Sequence, residues 1–209
     1  MKSTRRSTRR TPTRLVALTA IALLGTAVFA GGAQAASCPY AGAEKVFAPW
    51  GDYRNYVLAP DGGFEAGAKG WDLDGGAKVV AGNESFYLND AADDTSLALP
   101  AGSSAGSPSV CMSIDTPVFR MVARNTGDPS SRLRVTASYW LLGLLRTQTI
   151  DTVTAGSAWK PTDPHSTVLT LSTLIGTLIP SAIEIRVTPL DSKGRWQVDD
   201  LYIDPFSRR

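Results

Sequence analysis

Residues 133–141 read LRVTASYWL, a stretch in which apolar and polar side chains alternate. Neighbouring side chains of a β-strand point to opposite faces, so alternation sorts these residues onto two sides. The apolar side would carry Leu133, Val135, Ala137 and Tyr139. The other side would carry Arg134, Thr136, Ser138 and Trp140. Such a pattern predicts a strand that covers a core on one face and meets solvent on the other.

Similar short runs occur along the rest of the chain, separated by clusters of Gly, Pro, Asp and Ser. The further predicted strands are Ser85–Leu88, Ser96–Leu99, Ser109–Ile114, Val118–Ala123, Thr147–Val153, Ala182–Thr188 and Trp196–Ile203. Many short strands at this spacing predict an all-β fold, either an antiparallel β-sandwich or a barrel. Because the sequence shows no internal repeat and no Ser/Pro-rich linker after residue 59, we expect residues 60–209 to form one domain.

The first 35 residues differ from the rest in charge. They hold six of the 21 Lys and Arg residues and none of the 19 Asp and Glu residues. An apolar run from Leu15 to Ala30 follows the basic part, and Ala33-Gln34-Ala35 has the small residues of a processing site. This order predicts a cleaved signal peptide, residues 1–35, and a secreted, extracellular protein. The apolar run is shorter than the about 20 residues that span a membrane, so we expect no integral membrane anchor.

The rest of the chain is mildly acidic. Residues 36–209 carry 15 Lys and Arg residues against 19 Asp and Glu residues. The basic charge therefore belongs to the predicted signal peptide, and we expect no nucleic-acid partner. The chain also has one histidine and two cysteines, too few for a His-rich metal centre or a Cys₄ zinc site.

The two cysteines are Cys38 and Cys111. In an exported chain two cysteines favour a disulfide. This disulfide would tie an N-terminal segment, residues 36–59, to the sandwich, with a stabilisation of roughly 4 kcal/mol. The alternative is a lipoprotein acylated at Cys38, although residues 35–37 lack the large aliphatic residue that such processing sites carry.

The sequence does not arrange its titratable residues as an active site. Asp93 and Asp94, like Asp199 and Asp200, are adjacent, and in an extended chain each pair diverges instead of facing a substrate from two sides as glycoside hydrolysis requires. His165 lies in a loop-like stretch where we expect it to be solvated, and no Gly-x-Ser-x-Gly motif is present. We therefore expect the protein not to be an enzyme.

Two short motifs stand near the ends of residues 60–205. The first is Gly62-Gly63-Phe64-Glu65-Ala66-Gly67, followed by Trp71, and the second is Trp196-Gln197-Val198-Asp199-Asp200-Leu201-Tyr202-Ile203-Asp204-Pro205. Together they resemble the opening and closing motifs of galactose-binding-like jelly-roll modules, especially the carbohydrate-binding modules of xylanases and related glycoside hydrolases. The chain also resembles secreted actinobacterial proteins of uncharacterised function with the same two ends. The resemblance implies a jelly-roll β-sandwich with a polysaccharide or other glycan as its partner.

The same resemblance implies a structural Ca²⁺. Its ligands would be Glu65 and either Asp199 or Asp200, with backbone carbonyls completing the oxygen shell that Ca²⁺ prefers. Strict alternation would direct one of the two aspartates towards the apolar side or the sheet edge, where an unpaired carboxylate is costly. The alternative is that Glu65 meets Arg195 or backbone amides near a sheet corner.

Alternation also predicts a polar sheet face if the strands at residues 118–124, 132–141 and 183–188 share one sheet. The candidate ligand-binding residues are Arg120, Arg134, Ser138, Trp140, Glu184 and Arg186. Sugar binding needs a planar aromatic ring for pyranose faces and charged groups for hydroxyls. The alternative is a solvated sheet face with weak cross-strand ion pairs.

These features favour a secreted, non-catalytic carbohydrate-binding-like module for cell-wall or environmental polysaccharide. A cell-envelope interaction or structural protein, which would use the same fold to bind a protein partner, is the alternative.

Overall fold

The computed structural model describes residues 42–112, 118–141, 144–166 and 181–204. The predicted signal peptide and Cys38 lie outside these residues. A short 3₁₀ helix, Ala48–Trp50, precedes the strands. The strands are β1 (Val57–Leu58), β2 (Asp72–Asp74), β3 (Lys78–Ala81), β4 (Thr95–Pro100), β5 (Ser104–Gly106), β6 (Val110–Met112), β7 (Val118–Asn125), β8 (Leu133–Leu141), β9 (Leu144–Val153), β10 (Lys160–Pro161), β11 (His165–Ser166), β12 (Ser181–Pro189) and β13 (Arg195–Asp204).

The strands pair antiparallel in two sheets. The first sheet has the order β10-β7-β13-β4-β3, with β1 paired to β13 and β11 paired to β7. The second sheet has the order β2-β5-β12-β8-β9, with β6 paired to β12. This arrangement confirms the predicted all-β jelly-roll sandwich. Within the described ranges, no helix is long and apolar enough to cross a lipid bilayer.

The core lies between the two sheets and is built from the apolar faces of the alternating strands. The second sheet contributes Leu133, Val135, Ala137, Tyr139, Ile183, Ile185 and Val187. The first sheet contributes Leu97, Leu99, Phe119, Met121, Ala123, Trp196, Val198, Leu201 and Ile203. Each large side chain buried in this way stabilises the fold by about 1.5–3 kcal/mol. The apolar side predicted for residues 133–141 is therefore the side that faces the core.

An N-terminal segment covers part of the outer face of the first sheet. Phe47 and Tyr56 of this segment form a second apolar cluster with Val118 and Tyr202. The Phe47 ring meets the rings of Tyr56 and Tyr202 edge-on, with centroids 5.0 and 5.7 Å away. Aromatic packing thus holds the segment that the sequence predicted to be tied by a disulfide.

The predicted disulfide remains a prediction. The described residues contain no free cysteine, so Cys111 in β6 is not a free thiol. Its predicted partner, Cys38, lies outside the described residues.

Residues 85–88 were predicted as a strand, and this prediction was wrong. The Glu84 carboxylate accepts hydrogen bonds from the backbone amides of Phe86 and Leu88, the latter at 2.7 Å. Because these bonds engage the amides locally, the segment forms turns and does not join a sheet. Tyr87, between the two bonded amides, has a positive φ of 52°.

Strict alternation also fails within β13. The register of β13 against β7 shifts between Asp199 and Tyr202, and Asp200 has a positive φ of 50°. This β-bulge inserts an extra residue, so Val198 and Leu201 both reach the core, although alternation placed them on opposite faces. The two aspartates therefore lie at a backbone irregularity and not within a regular strand.

Candidate functional site

The outward side chains of β8 meet those of neighbouring strands in register. Ser138 lies opposite Glu184 of β12 and Thr147 of β9. The hydroxyl oxygens of Ser138 and Thr147 are 2.9 Å apart. Two residues away on β8, and on the same face, Thr136 lies opposite Arg186 of β12. The second sheet thus brings five of the six predicted face residues onto one side, which we call the outer polar face: Arg134, Ser138, Trp140, Glu184 and Arg186.

Several neighbours hold the Arg186 guanidinium in one place on this face. Its Nε donates to Oε1 of Glu184 at 3.0 Å, and its Nη1 donates to Oγ of Ser104 at 3.0 Å. Its Nη2 also contacts the Asp72 carboxylate. A Cβ at Gly106 would collide with Glu184 and Arg186, so this ion pair occupies the space that a side chain would fill. A fixed cation with nearby acceptors can hydrogen-bond hydroxyl groups without first reorganising.

Trp140 lies at the hairpin end of the outer polar face. Its side chain is 68% exposed, and it stands opposite Leu145 of β9. Leu145, which shares this face with Trp140, is also exposed, so an apolar pair borders the polar side chains that begin at Ser138. Leu144 is exposed too, but it lies opposite Leu141 and therefore on the other face of the sheet. Arg134 lies at the other end of β8. The face therefore offers an exposed indole at one end and charged and hydroxyl groups along the rest.

Arg120 is not part of the outer polar face, because β7 belongs to the first sheet. Its buried guanidinium donates to Oδ2 of Asp52 at 3.0 Å and to the carbonyl of Thr162 at 2.8 Å. It also lies over the Phe47 ring, 4.2 Å from the centroid. The sequence prediction assumed one sheet for all three strands. Arg120 instead fastens the N-terminal segment to the first sheet.

The two sequence motifs are in contact in the structure. The amide of Ala59 donates to the carbonyl of Leu201 at 2.8 Å, and the amide of Leu201 donates to the carbonyl of Gly62 at 3.1 Å. A Cβ at Gly62 would lie 2.8 Å from the Leu201 carbonyl, so only glycine allows this approach. A Cβ at Gly63 would lie 3.2 Å from Oδ1 of Asp200. The first motif therefore packs directly on the bulge of β13.

Asp199 and Asp200 are both buried at this bulge. Asp199 accepts hydrogen bonds from the amides of Glu84 and Asp200 at 3.0 and 2.9 Å. The Asp200 carboxyl group lies near the Asn89 backbone amide and the Glu84 carboxyl group, but within the described part of the chain neither of its oxygens reaches a partner with good hydrogen-bond geometry. Burial and then the charge of Asp200 raise the pKa of Asp199 to about 9. Burial and then the charges of Glu84 and Asp93 raise the pKa of Asp200 to about 8.

Glu65 has a different environment from the two aspartates. Its Oε1 accepts hydrogen bonds from the amides of Asp94 and Thr95 at 3.2 and 3.0 Å and from the Thr95 hydroxyl at 2.8 Å. This matches the alternative in which Glu65 meets backbone amides. Among the residues that the structure describes, no three His, Cys, Asp or Glu side chains are grouped to hold a metal ion. Of the three predicted ligands, Asp200 is the one whose buried oxygens make no well-formed hydrogen bond within the described residues, so it is the one that fits a cation.

Sequence reasoning missed several residues of these sites. Gly106, Ser104 and Asp72 support Arg186 from β5 and β2, strands too short to be predicted. Glu84, whose amide donates to Asp199, directly precedes residues 85–88, which were predicted as a strand. The pairing of distant strands, which the sequence pattern does not encode, brings these residues into place.

No protein-family model matches the chain, and no curated protein matches it. Solved structures do match. One contains the CBM22-1 and GH10 modules of Clostridium thermocellum endo-1,4-beta-D-xylanase 10B, complexed with xylohexaose. The TM-score is 0.52 at 13% identity, over 72% of this chain and 28% of that chain, so the match spans well under half of the xylanase structure.

Two structures from Paenibacillus barcinonensis Xyn10C are also similar. The match to its CBM22-1-CBM22-2 tandem domain has a TM-score of 0.49 at 13% identity and covers 75% of this chain and 46% of that chain. The match to its CBM22-1 xylan-binding domain has a TM-score of 0.47 at 15% identity and covers 71% of this chain and 96% of that chain. At these identities the likeness concerns the fold. The protein is a β-sandwich with a jelly-roll fold like that of the carbohydrate-binding modules of xylanases.

Proposed function

We propose that the protein is a secreted, non-catalytic module that binds cell-wall or environmental polysaccharide through its outer polar face. The observation that carries this proposal is Trp140, whose indole is 68% exposed at the end of a row of hydroxyl and charged side chains. Trp140 and Leu145 are exposed side by side, and contiguous exposed apolar surface rimmed by polar residues commonly marks a binding site. The similarity in fold to a xylanase structure solved with xylohexaose also supports a polysaccharide as the ligand.

In this proposal one pyranose ring packs on the Trp140 indole, and its hydroxyl groups reach the row beyond Ser138. Glu184 accepts hydrogen bonds there and Arg186 donates them. Ser104 and Asp72 already hold Arg186, so little side-chain entropy is lost when the sugar binds. The module binds and positions a polysaccharide and performs no chemistry on it.

Retention on insoluble xylan, β-glucan, mannan and peptidoglycan tests the proposal. We expect at least one polymer to retain the protein, and Trp140→Ala to weaken binding by about tenfold or more. Tyr53→Ala is the matched control, because Tyr53 is a comparably exposed aromatic residue in the N-terminal segment. Retention by none of the polymers, or equal loss in the two variants, would contradict the proposal.

The second candidate function is a cell-envelope interaction in which a protein partner occupies the same end of the sheet. The exposed Leu145 beside Trp140 favours it, because a protein interface buries apolar side chains that a sugar leaves in water. Leu145→Ser distinguishes the two functions. It would weaken capture of an envelope protein and leave retention on polysaccharide nearly unchanged.

We also propose a structural Ca²⁺ at the bulge of β13, with Asp200 as a carboxylate ligand. An ion there would satisfy two buried oxygens that make no well-formed hydrogen bond within the described residues. Asp199 is the neighbouring carboxylate, and backbone carbonyls would complete the oxygen shell. Oε1 of Glu65 already accepts three hydrogen bonds, so Glu65 would contribute less to this site than the two aspartates.

Secretion and the Cys38–Cys111 disulfide belong to the same proposal. Intact mass of the exported protein, measured before and after reduction, tests both. We expect cleavage after residue 35 and a gain of two hydrogens on reduction. An acyl mass on Cys38 would support the lipoprotein alternative and contradict the disulfide.

A further inference from the structure

A row of side chains crosses the first sheet on its outward side. The strand register places Arg124 of β7 opposite Gln197 of β13. Gln197 lies opposite Ala98 of β4, and Ala98 lies opposite Lys78 of β3. The strand neighbours that flank Gln197 and Ala98 belong to the core, so alternation turns the row away from the core. The row lies at the opposite end of β7 and β13 from the cluster that holds the N-terminal segment.

Three cations are spread along this part of the sheet. Neighbouring strands are about 4.8 Å apart, so three strand steps separate the backbones of Arg124 and Lys78 by about 14 Å. Arg195 lies two residues from Gln197 on the same side of β13, about 7 Å along the strand. Lys78 and Arg195 are exposed, and Arg124 is half-buried. We call these residues the basic row: Lys78, Ala98, Arg124, Arg195 and Gln197.

Two uncharged neighbours hold the Arg124 guanidinium. Its Nε donates to Oε1 of Gln197 at 2.5 Å, and its Cζ lies 4.5 Å from the centroid of the Trp159 ring. Trp159 directly precedes β10, which pairs with β7 beside Arg124. These contacts orient the planar guanidinium, but neither partner carries a negative charge. The positive charge of Arg124 is therefore oriented without being neutralised.

The outer polar face of the second sheet treats its arginine differently. There the Arg186 guanidinium contacts the carboxylates of Asp72 and Glu184. Within the described residues, none of the three cations of the basic row forms an ion pair. Residues 36–209 as a whole carry 15 basic and 19 acidic side chains, so the basic row locally reverses the charge of the domain. Such a local reversal attracts an anionic partner.

We propose that the basic row is a second glycan site, which binds an acidic polysaccharide whose sugar rings carry carboxylate groups. One carboxylate accepts hydrogen bonds from the planar fork of Arg124, and further carboxylates along the chain accept from Lys78 and Arg195. The Gln197 amide can donate to sugar hydroxyls. Ala98, a small residue between two long ones, leaves room for a ring above the sheet.

The spacing of the cations favours a polymer over a small anion. A single carboxylate cannot reach both Arg124 and Lys78 across about 14 Å, whereas a chain with repeated carboxylates can meet both. Nucleic acid fits less well, because proteins that bind it commonly neutralise about six to ten phosphates and this row holds three cations. The half-buried Trp159 ring also offers apolar surface of the kind on which sugar rings pack.

This proposal goes beyond polysaccharide binding at Trp140, because the two sites lie on opposite sides of the sandwich. Soluble oligomers of galacturonic acid and of mannuronic acid test it, each compared with its fully methyl-esterified form. The ester keeps the sugar backbone and removes the charge. Isothermal titration of the exported protein measures the affinities. We expect at least one acidic oligomer to bind about tenfold or more tightly than its ester, and this affinity to fall as salt is added.

Matched variants locate the site. Lys78→Gln removes one charge from the exposed end of the basic row and should weaken binding of the acidic oligomer by about threefold to tenfold. Lys69→Gln is the control, because Lys69 is equally exposed but lies in the loop before β2, outside the first sheet. Trp140→Ala should leave this binding unchanged even where it abolishes retention on neutral polysaccharide.

Four results would overturn the proposal. No acidic oligomer may bind more tightly than its ester, or inorganic polyphosphate binds as tightly as the best oligomer, which would mean that the surface selects charge alone. Equal losses in Lys78→Gln and Lys69→Gln would mean that net charge and not the row determines binding. Loss of the acidic oligomer in Trp140→Ala would assign it to the outer polar face.

Discussion

Arg120 of β7 and Asp52 of the N-terminal segment form a buried ion pair, with Nη1 3.0 Å from Oδ2 and each side chain 5% exposed. Asp52 also accepts a hydrogen bond from the Tyr56 hydroxyl at 2.8 Å. Burial alone would raise the pKa of Asp52, but the hydrogen bonds from Tyr56 and Arg54 outweigh it and the pKa is lowered. The carboxylate is therefore charged in the folded protein and compensates a buried guanidinium.

Removing the charge of Asp52 should be costly. Asp52→Asn keeps the side-chain shape and leaves Arg120 as a buried cation without its counterion. We expect the free energy of unfolding to fall by about 3 kcal/mol. Urea denaturation measures this change.

Arg54→Ala is the matched control for this prediction. Arg54 pairs with the other oxygen of Asp52 at the same 3.0 Å, but its side chain is 43% exposed. Exposed ion pairs contribute about 0–1 kcal/mol, so this variant should change stability much less. Equal losses in the two variants would show that burial does not decide the contribution of the pair.

The position of Arg120 shows what the alternation of polar and apolar residues can predict and what it cannot. Alternation correctly predicted which side chains of β8 face the core, because that depends on one strand and its two faces. It could not tell which sheet β7 joins, because strand order depends on pairing between residues far apart in the chain. Arg134 and Arg186 consequently share a face as predicted, and Arg120 lies in the other sheet.

Local hydrogen bonding limits sequence prediction in a second way. Residues 85–88 have the alternation of a strand, yet the Glu84 carboxylate binds two of the amides that a strand would use. In β13, one extra residue at the bulge reverses the face of every position that follows. The candidate calcium ligand Asp200 lies at this bulge. The closing sequence motif pointed to Asp200, but strict alternation could not predict which way its side chain faces.

A side chain at Gly106 should disturb the outer polar face. A Cβ there would collide with Glu184 and Arg186, so Gly106→Ala must displace the ion pair from the outer polar face. The atoms that a Cβ would meet are the ends of two flexible side chains, so we expect a loss of stability of at most about 1 kcal/mol, together with weaker polysaccharide retention. Thermal unfolding and the retention assay measure the two effects.

Gly156→Ala serves as the comparison for Gly106→Ala. Gly156 is exposed, and a Cβ added to it would have no neighbouring atom within 4 Å. The substitution should leave both the melting temperature and retention nearly unchanged. If Gly106→Ala behaves in the same way, the ion pair moves aside freely and does not form a fixed part of the face.

Calcium should stabilise the protein through Asp200. We expect EDTA to lower the melting temperature and added Ca²⁺ to restore it, because the ion would compensate a buried carboxylate that makes no well-formed hydrogen bond within the described residues. Asp200→Asn removes a buried carboxyl group whose raised pKa of about 8 destabilises the folded state at neutral pH, so it should raise the melting temperature measured in EDTA and abolish the response to Ca²⁺. An unchanged melting temperature in EDTA would remove the calcium proposal.

Glu65→Gln tests the remaining predicted ligand. If Glu65 binds the ion, this variant loses the Ca²⁺ response as Asp200→Asn does. If Glu65 only accepts hydrogen bonds from Asp94 and Thr95, the variant lowers stability equally with and without Ca²⁺. Thermal unfolding in EDTA and in Ca²⁺ separates the two results.

Proton uptake by His165 should oppose folding in mild acid. The sequence predicted that this residue is solvated, but its ring is buried against Phe119. Its pKa in the folded protein lies below the ordinary value of 6.5, so the unfolded chain takes up the proton first as pH falls. The contribution of neutral His165 to the free energy of unfolding is fully present above about pH 6.5. It declines as pH falls towards the lowered pKa, by at most about 1.4 kcal/mol per pH unit. Asp199 and Asp200, whose pKa values are raised to about 9 and about 8, stabilise the fold as pH falls over the same range, and they do so in both proteins. His165→Gln removes only the opposing contribution of the imidazole, so its melting temperature relative to that of the unchanged protein should rise between about pH 7 and pH 5. Asp52, whose pKa is also lowered, loses its contribution only at more acidic pH, which keeps the two effects apart. Equal slopes in both proteins over this range would mean that the ring binds its proton as readily when folded as when unfolded, contrary to its burial against Phe119.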